Sequence, residues 1–327
     1  MEKLKVVYPI KFNPILKSTI WGGSRICSYK HIEPQKEGIG ESWEISVVPK
    51  SVSVIANGEY RGMPLTELIK TYGAEIVGKE NLQRFGKTFP LLIKFIDACD
   101  DLSIQVHPTD ELAEQRHHCK GKTEMWYVLD ADDDATLFAG LNRPITADEY
   151  VERVANNTIT DVLALHQIKK GDVFFLPAGD VHAIRKGTFI AEIQQSSDIT
   201  YRIYDYDRRD AQGNARELHT ELAKDAINYN AENRNRVLYE EKKNADNEIV
   251  SCDYFTTDII LLDEPMTMDY SDLDSFVVLI CLEGACSLIC GEEITPLQAG
   301  ETVLLPAVME ELEIVPDGIV RLLETFV

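Results

Sequence analysis

Apolar residues along this chain come mostly in short runs cut by glycine, proline and charged turns. VVYPIKF (6–12), SWEISVV (42–48) and SVSVIA (51–56) are rich in β-branched and aromatic residues and predict strands. From Pro64 the period lengthens. In PLTELIKTYGAEIV, Leu65, Leu68, Ile69 and Ile76 recur at roughly helical spacing, which predicts a helix over 64–77 with Thr66 near its start. FPLLIKFID (89–97) is apolar almost throughout, and LSIQVHP (102–108) alternates its faces as a strand does. DELAEQRHH (110–118) predicts a short helix and TEMWYVLDA (123–131) a strand, while ADDDATLFAGL holds an acidic turn and a further strand. A helical block is expected from Thr146 to about Leu165, with Thr146 capping ADEYVERVANN. The segments 168–184 and 188–206 return to strands, as does the chain from Ile249 onward.

Short strands set off by Gly and Pro turns at spacings of about 8–12 residues predict a sandwich or barrel of jelly-roll type. The helices are inserted between strands and do not alternate with them, so a doubly wound sheet is not expected. A polar, Asn- and Glu-rich stretch from Arg208 to Asn247, part helix and part linker, is the best candidate for a boundary. It divides the chain into a first unit, 1–240, and a second β unit, 241–327.

Charge narrows the field of partners. The formal net charge of −22 argues against sequence-independent binding to nucleic acid or to anionic membranes. No run of 18 uninterrupted apolar residues exists, so no membrane span is expected. The start lacks the apolar core of a secretion signal, and the seven cysteines include no CxxC pair, so reduced thiols in a cytoplasmic protein are expected. An anionic substrate would need a local concentration of Lys and Arg to offset the global field.

One phrase is written twice. GDVFFLPAGDVHAI begins at Gly171, and a weaker copy, GETVLLPAVMEELEI, begins at Gly300. Each has a turn glycine, an apolar triplet and then Pro-Ala. In the second copy Gly179 becomes Val308 and His182 becomes Glu311. This predicts a duplicated β unit in which one copy keeps a site and the other is kept for packing. The first copy, G-x5-P-x-G-x2-H, resembles a motif of the cupin superfamily, whose histidine is a metal ligand pointing into a barrel. If His182 is a ligand, partners should lie on strands facing the same interior. Gln105 and His107 stand two apart on LSIQVHP and share a face, and Glu124 lies on the next strand. Two nitrogens and a carboxylate suit Zn²⁺, and equally Fe²⁺ or Mn²⁺. The adjacent His117, His118 and Cys119 cannot all face one ion from a helix end.

SIQVHPTDELA, GKTEMWYVL, PAGDVHAI and QQSSDITYRIYDYDR occur in that order, with WGGSRI and GESWEIS before them. Together they resemble the class I mannose-6-phosphate isomerases in their compact bacterial form, over nearly the whole chain. The resemblance implies a mainly β fold of two cupin-like jelly-roll barrels with inserted helices. It implies an enzyme with one zinc ion per chain that interconverts mannose 6-phosphate and fructose 6-phosphate through an enediol. Gln105, His107, Glu124 and His182 are then the metal ligands. Lys94, Lys122 and Arg202 are the implied catalytic residues, and Ser103, Lys94 and Arg202 the implied substrate contacts.

The residue chemistry agrees with such a reaction. It needs a proton carrier and stabilisation of a developing oxyanion. Arg202 is a permanent cation that can grip phosphate; pairing with Asp205 or Asp207 is its plain alternative. Lys94, set in an apolar run, is expected to lose basicity by desolvation. Lys122 should point inward beside Glu124. The base stays open among Lys94, Lys122, Glu124 and a metal-bound water. So do the oligomeric state and two other readings, a cupin oxygenase and a non-catalytic sugar-binding cupin. The oxygenase would not need the three cations, and the intact first copy opposes the binding protein.

Overall fold

Four antiparallel sheets carry the fold, in a computed structural model that describes residues 3–209, 213–231 and 235–327. A seven-stranded sheet runs, in spatial order, Arg236–Val237, Val173–Leu176, Glu124–Ala131, Thr188–Gln195, Leu91–Ala98, Ile15–Gly23 and Ile39–Ile45. Facing it is a five-stranded sheet of Tyr201–Tyr204, Ile104–Val106, His182–Ile184, Thr136–Leu141 and Leu163–Gln167. Trp126, Phe174 and Ile190 from the first meet Leu137 and Ile184 from the second in one buried cluster.

The second half of the chain repeats the plan. A six-stranded sheet runs Ile10–Lys11, Thr302–Leu305, Val277–Glu283, Val320–Phe326, Thr256–Leu262 and Asp246–Ser251. It packs through Leu279, Leu322 and Val303 on Leu288, Leu312 and Ile314 of a four-stranded sheet. That sheet runs Met266–Asp269, Glu311–Pro316, Ala285–Cys290 and Glu293–Gln298. The two sandwiches pack back to back: Phe95, Met125 and Ile193 share a cluster with Phe276, Val278 and Leu323. One strand crosses the expected division, because Ile10–Lys11 pairs with Thr302–Leu305.

This layering explains the apolar run at 89–97. The seven-stranded sheet is buried on both faces, so its strands need not alternate. In Leu91–Ala98 every residue is buried. Leu91, Ile93 and Phe95 face the second sandwich, which leaves Lys94 on the face toward the five-stranded sheet. In Glu124–Ala131, Trp126 and Val128 face one core while Met125, Tyr127 and Leu129 face the other.

The mainly β character and the inserted helices match expectation, as does the Thr146 cap, whose hydroxyl accepts from Glu149 N at 3.1 Å. The sheets are open rather than closed. Other details differ. The block from Thr146 is α-helical over Ala147–Ala155 and 3-10 helical over Ile159–Val162, and Leu163–Gln167 is an edge strand. Its apolar residues pack across a sheet, where tertiary pairing overrides local helix preference. The helix expected over 64–77 breaks at Gly73 into Leu65–Tyr72 and Ala74–Val77, and Lys79–Phe85 adds a third piece after Gly78. Both glycines have positive φ, which ends a helix at little cost. The strand Ile15–Gly23 and the helix Arg25–Tyr29 were not legible. Within 208–247, Thr220–Ala226 is helical, and residues 210–212 and 232–234 lie outside the described set. All seven cysteines are free thiols. Among the described residues no helix is long and apolar enough to cross a membrane.

Candidate active site

The chemistry collects between the seven- and five-stranded sheets. Glu124 opens its strand on the first, and His182 opens its strand on the second, directly opposite Gln105. His107 follows the strand Ile104–Val106. Gly179 turns the chain toward His182 with φ +98°, and a Cβ there would sit 3.1 Å from the Ala226 carbonyl. Tyr201–Tyr204 lies beyond Ile104–Val106, with Arg202 opposite Gln105. His182, Gln105 and Arg202 therefore form one row across three strands.

His107, Glu124 and His182 are buried, and one ligand atom from each lies within 4.8 Å of the others. His182 Nε2 is 3.3 Å from Glu124 Oε1, and His107 Nε2 is 3.5 Å from Oε2. Each ring is turned by a backbone carbonyl: His107 Nδ1 lies 2.9 Å from Ile199 O, and His182 Nδ1 lies 2.8 Å from Asp180 O. A proton on each Nδ1 donates to these carbonyls and leaves both Nε2 lone pairs aimed at Glu124. Burial first, then Lys122 and His182, pushes His107 well below the usual histidine range, which favours the neutral imidazole a cation requires. Both Glu124 oxygens are buried and, apart from the Lys122 ammonium 2.8 Å from Oε2, face only the two imidazoles. A buried carboxylate facing two imidazole Nε2 atoms fits the donor set of a divalent cation. The Gln105 amide nitrogen is 3.3 Å from His182 Nε2. A half-turn of the amide exchanges its nitrogen and oxygen and would present a fourth donor.

The donor set adjoins a cavity of about 440 Å³ whose lining includes Lys94, Ser103, Gln105, Lys122, Arg202 and Arg216. All the residues singled out in the sequence thus meet at one place. Lys122 precedes its strand but still points inward, with Nζ 2.8 Å from Glu124 Oε2 and 3.2 Å from His107 Nε2. Lys94 Nζ is 2.9 Å from Glu192 Oε1, and the Trp126 indole donates to Glu192 Oε2 at 3.0 Å. Burial alone would pull Lys94 down, but the Glu192, Glu41 and Glu124 carboxylates outweigh it and hold the ammonium above the ordinary lysine range. The expected loss of basicity is thereby corrected. Burial would raise Glu192, yet Lys94 and Lys122 hold it at about 2.

Arg202 does not pair with Asp205. Asp205 instead binds Arg208 and Arg216, and Arg202 donates from one terminal nitrogen to the Glu217 carbonyl at 2.9 Å. Glu192 and Arg216 were missed in the sequence, and Asp205 was named there only as a partner for Arg202. A glutamate inside the apolar strand TFIAEIQQ was a usable signal for Glu192. Arg216 had none, since only the fold brings it beside Arg202. His117 bonds Tyr201 and His118 terminates its helix in a left-handed conformation, so this pair forms no metal group.

Fold and site together define a class: a tandem β-sandwich protein of cupin type, with a buried His-Glu-His donor set opening onto a cation-lined pocket. The comparisons take this further. The family model "Phosphomannose isomerase type I, catalytic domain" matches residues 10–135, and "Mannose-6-phosphate isomerase, cupin domain" matches residues 245–323. The chain is 35% identical over 309 residues to mannose-6-phosphate isomerase ManA of Bacillus subtilis, covering 94% of this chain and 95% of that one. It is 40% identical over 219 residues to the mannose-6-phosphate isomerase of Streptococcus mutans, covering 67% of each. The crystal structure of the mannose 6-phosphate isomerase from Bacillus subtilis superposes with a TM-score of 0.87 at 32% identity, over 98% of this chain and 99% of that one. A putative mannosephosphate isomerase from Archaeoglobus fulgidus shares the fold, with a TM-score of 0.79 at 20% identity over 98% of each chain. The chain belongs to the type I phosphomannose isomerases.

Proposed function

We propose that this protein interconverts mannose 6-phosphate and fructose 6-phosphate by moving a proton between C2 and C1 through an enediol. One Zn²⁺ per chain would be held by His107, Glu124, His182 and Gln105. The observation that carries the reading is the buried His107–Glu124–His182 set adjoining a pocket lined by Lys94, Lys122 and Arg202. When bound, the ion supplies Lewis-acid polarisation of the sugar oxygens. The side chains do the rest. Lys94, kept protonated by Glu192, donates to a sugar oxygen and stabilises negative charge as the enediolate develops. Glu192 is held by Lys94 and Trp126 and is a poor base. Glu124 belongs to the donor set. Of the protein groups this leaves Lys122, with Nζ where donor set and pocket meet; with Glu124 engaged by the cation and its own proton lost to solvent, the neutral amine would take the proton from C2 and return it at C1. Ser103 orients the substrate, and Arg202 holds its anionic end.

Residues 1–240 serve in this reading as the catalytic unit of a jelly-roll pair, and 241–327 as its non-catalytic counterpart. The protein acts in the cytoplasm on a small sugar phosphate, without nucleic acid or membrane. The test is a coupled assay of mannose 6-phosphate conversion run as purified, after chelation, and after adding Zn²⁺ back. Activity should vanish with the chelator and return with zinc. Bound metal without isomerisation would leave the fold standing and defeat the reading.

A further inference from the structure

Two of the pocket's cations are already neutralised. Lys94 is paired with Glu192, and Lys122 with Glu124. They cannot supply the local positive charge that a dianion needs in a chain of net charge −22. Two guanidiniums can. Among the described residues Arg202 has no carboxylate partner, and its Nε is buried with no acceptor. Arg216 lines the same cavity and shares the single buried carboxylate of Asp205 with Arg208. Arg208 has a second carboxylate, Asp100, 3.5 Å away, whereas Arg216 has only its share of Asp205 among the described residues. The acidic groups in the lining besides Glu192 are Glu41 and Asp198, and Glu41 accepts from the Trp43 indole.

We propose that Arg216 is the second guanidinium of the substrate's phosphate subsite, working with Arg202, and that Asp205 is the positioning residue that aims it. The inference rests on the isomerase reading above. Arg216 Nε donates to Asp205 Oδ2 at 2.7 Å, and a terminal nitrogen donates to Oδ1, so the plane of the guanidinium is fixed. Two of its N–H groups are used in this way. The other three have no protein acceptor among the described residues and are free for a phosphate oxygen. The two arginines are tied together by backbone. Arg202 donates to the Glu217 carbonyl, Arg202 N donates to His219 Nδ1 at 3.0 Å, and His219 N donates to the Arg202 carbonyl at 2.7 Å. Burial first, and then the Arg216 charge, pulls Arg202 below the usual guanidinium range. Two like charges crowded in this way are relieved by a dianion between them. The placement suits the substrate as well. Arg202 stands two strands from His182 in the row through Gln105, about 10 Å across the sheet. Reacting carbons at the donor set would then put the far end of an extended hexose chain near the two arginines.

The test compares Arg216→Ala, Arg216→Lys and Asp205→Asn with the unaltered enzyme. It reads kcat and KM for mannose 6-phosphate, competitive inhibition by inorganic phosphate, calorimetric binding of inorganic phosphate, and metal content. Arg216→Ala should raise KM and the phosphate inhibition constant together, on the order of 10- to 100-fold, the scale of a lost charge-assisted hydrogen-bond pair. Its kcat should stay within about threefold and its metal content unchanged. Arg216→Lys should fall between, because it keeps the charge but loses the fixed fork, and so should Asp205→Asn, which leaves the Arg216 charge in place but removes the carboxylate that aims it. The proposal is overturned if Arg216→Ala, or Arg216→Lys should the alanine variant not fold, leaves KM and phosphate binding unchanged or lowers kcat alone. An enzyme that isomerises mannose 6-phosphate but binds phosphate without regard to Arg216 sinks this inference and spares the isomerase reading. Phosphate binding that depends on Arg216 in a chain that does not isomerise does the reverse.

Discussion

Strand for strand, the second sandwich repeats the first. The eight strands from Leu91–Ala98 to Thr188–Gln195 have the same order and neighbours as the eight from Thr256–Leu262 to Val320–Phe326. Register carries the match to single residues. Glu124 lies opposite Leu176, the residue before Pro177, and Val277 lies opposite Leu305, the residue before Pro306. Two residues on, Trp126 faces Glu192 while Leu279 faces Glu324. Glu192 in turn faces Lys94, and Glu324 faces Asp258. Glu124, Trp126 and Lys94 thus have Val277, Leu279 and Asp258 as counterparts, whereas Glu192 and Glu324 are both glutamate. One scaffold holds a donor set and an ion pair in its first copy, and in its second a core packed by Val277 and Leu279 with a pair of carboxyls where the first has Lys94 and Glu192. The difference lies in a few side chains on shared backbone positions.

The largest effect should come from removing a donor in the first sandwich. His182→Ala is expected to abolish stoichiometric metal and to lower kcat/KM by about 10³-fold or more, as several kcal/mol of charge stabilisation disappear. Glu311, its counterpart in the repeated phrase, is exposed on Glu311–Pro316. Glu311→Ala should leave metal and activity within about twofold. Metal analysis beside the coupled assay reads both, and metal retained by His182→Ala would break the comparison.

A smaller effect should follow from the shared glutamate. Glu192→Gln strips Lys94 of its counter-ion while leaving it buried. Breaking such a pair costs about 3–5 kcal/mol of stability, and kcat should fall on the order of 10²-fold. The double variant Lys94→Met/Glu192→Leu should regain stability and stay inactive. Denaturant midpoints beside kcat check this. An active double variant would show that the pair only holds the sheet together.

Much of this was written in the chain, for a physical reason. The metal donors sit on short strands and tight turns, where spacing fixes direction: two residues apart is one face, and G-x5-P-x-G-x2-H is one corner. Lys94 was equally visible as a charge inside an apolar run. What the sequence hid were the partners. Glu192 decides whether Lys94 is weak or strongly protonated, and it lies opposite Lys94 only after Thr188–Gln195 pairs with Leu91–Ala98. Asp205 lies close to Arg202 in sequence yet binds Arg208 and Arg216. The extra strand Ile15–Gly23 and the third short helix were missed because local pattern there is weak and pairing supplies the structure.

The subtlest difference between the sandwiches is the sign of their response to pH. Glu192, beside two lysines, is held at about 2. A lowered carboxyl contributes stability that is present above its unfolded value, near 4.3, and is lost as pH falls through 2. Asp258 and Glu324 lie opposite each other with no lysine between them. Burial first, then Asp246 and Glu248, raises Asp258 to about 6. Burial first, with Asp258 and Asp246 adding to it against the Tyr270 hydroxyl that donates to it, raises Glu324 to about 7. A raised carboxyl contributes stability that is full below its unfolded value and is lost as pH rises through the folded one. The second sandwich should therefore weaken between about pH 4 and pH 7, a range in which the Glu192 contribution is nearly constant. Glu324→Gln removes the titrating group and keeps its shape. It should raise the melting temperature by a few degrees at pH 8 and leave it unchanged or slightly lower at pH 5. Scanning calorimetry at the two pH values reads the difference. An equal shift at both would mean that the carboxyl pair is neutralised by something other than a shared proton, and the contrast with Lys94–Glu192 would lose its electrostatic basis.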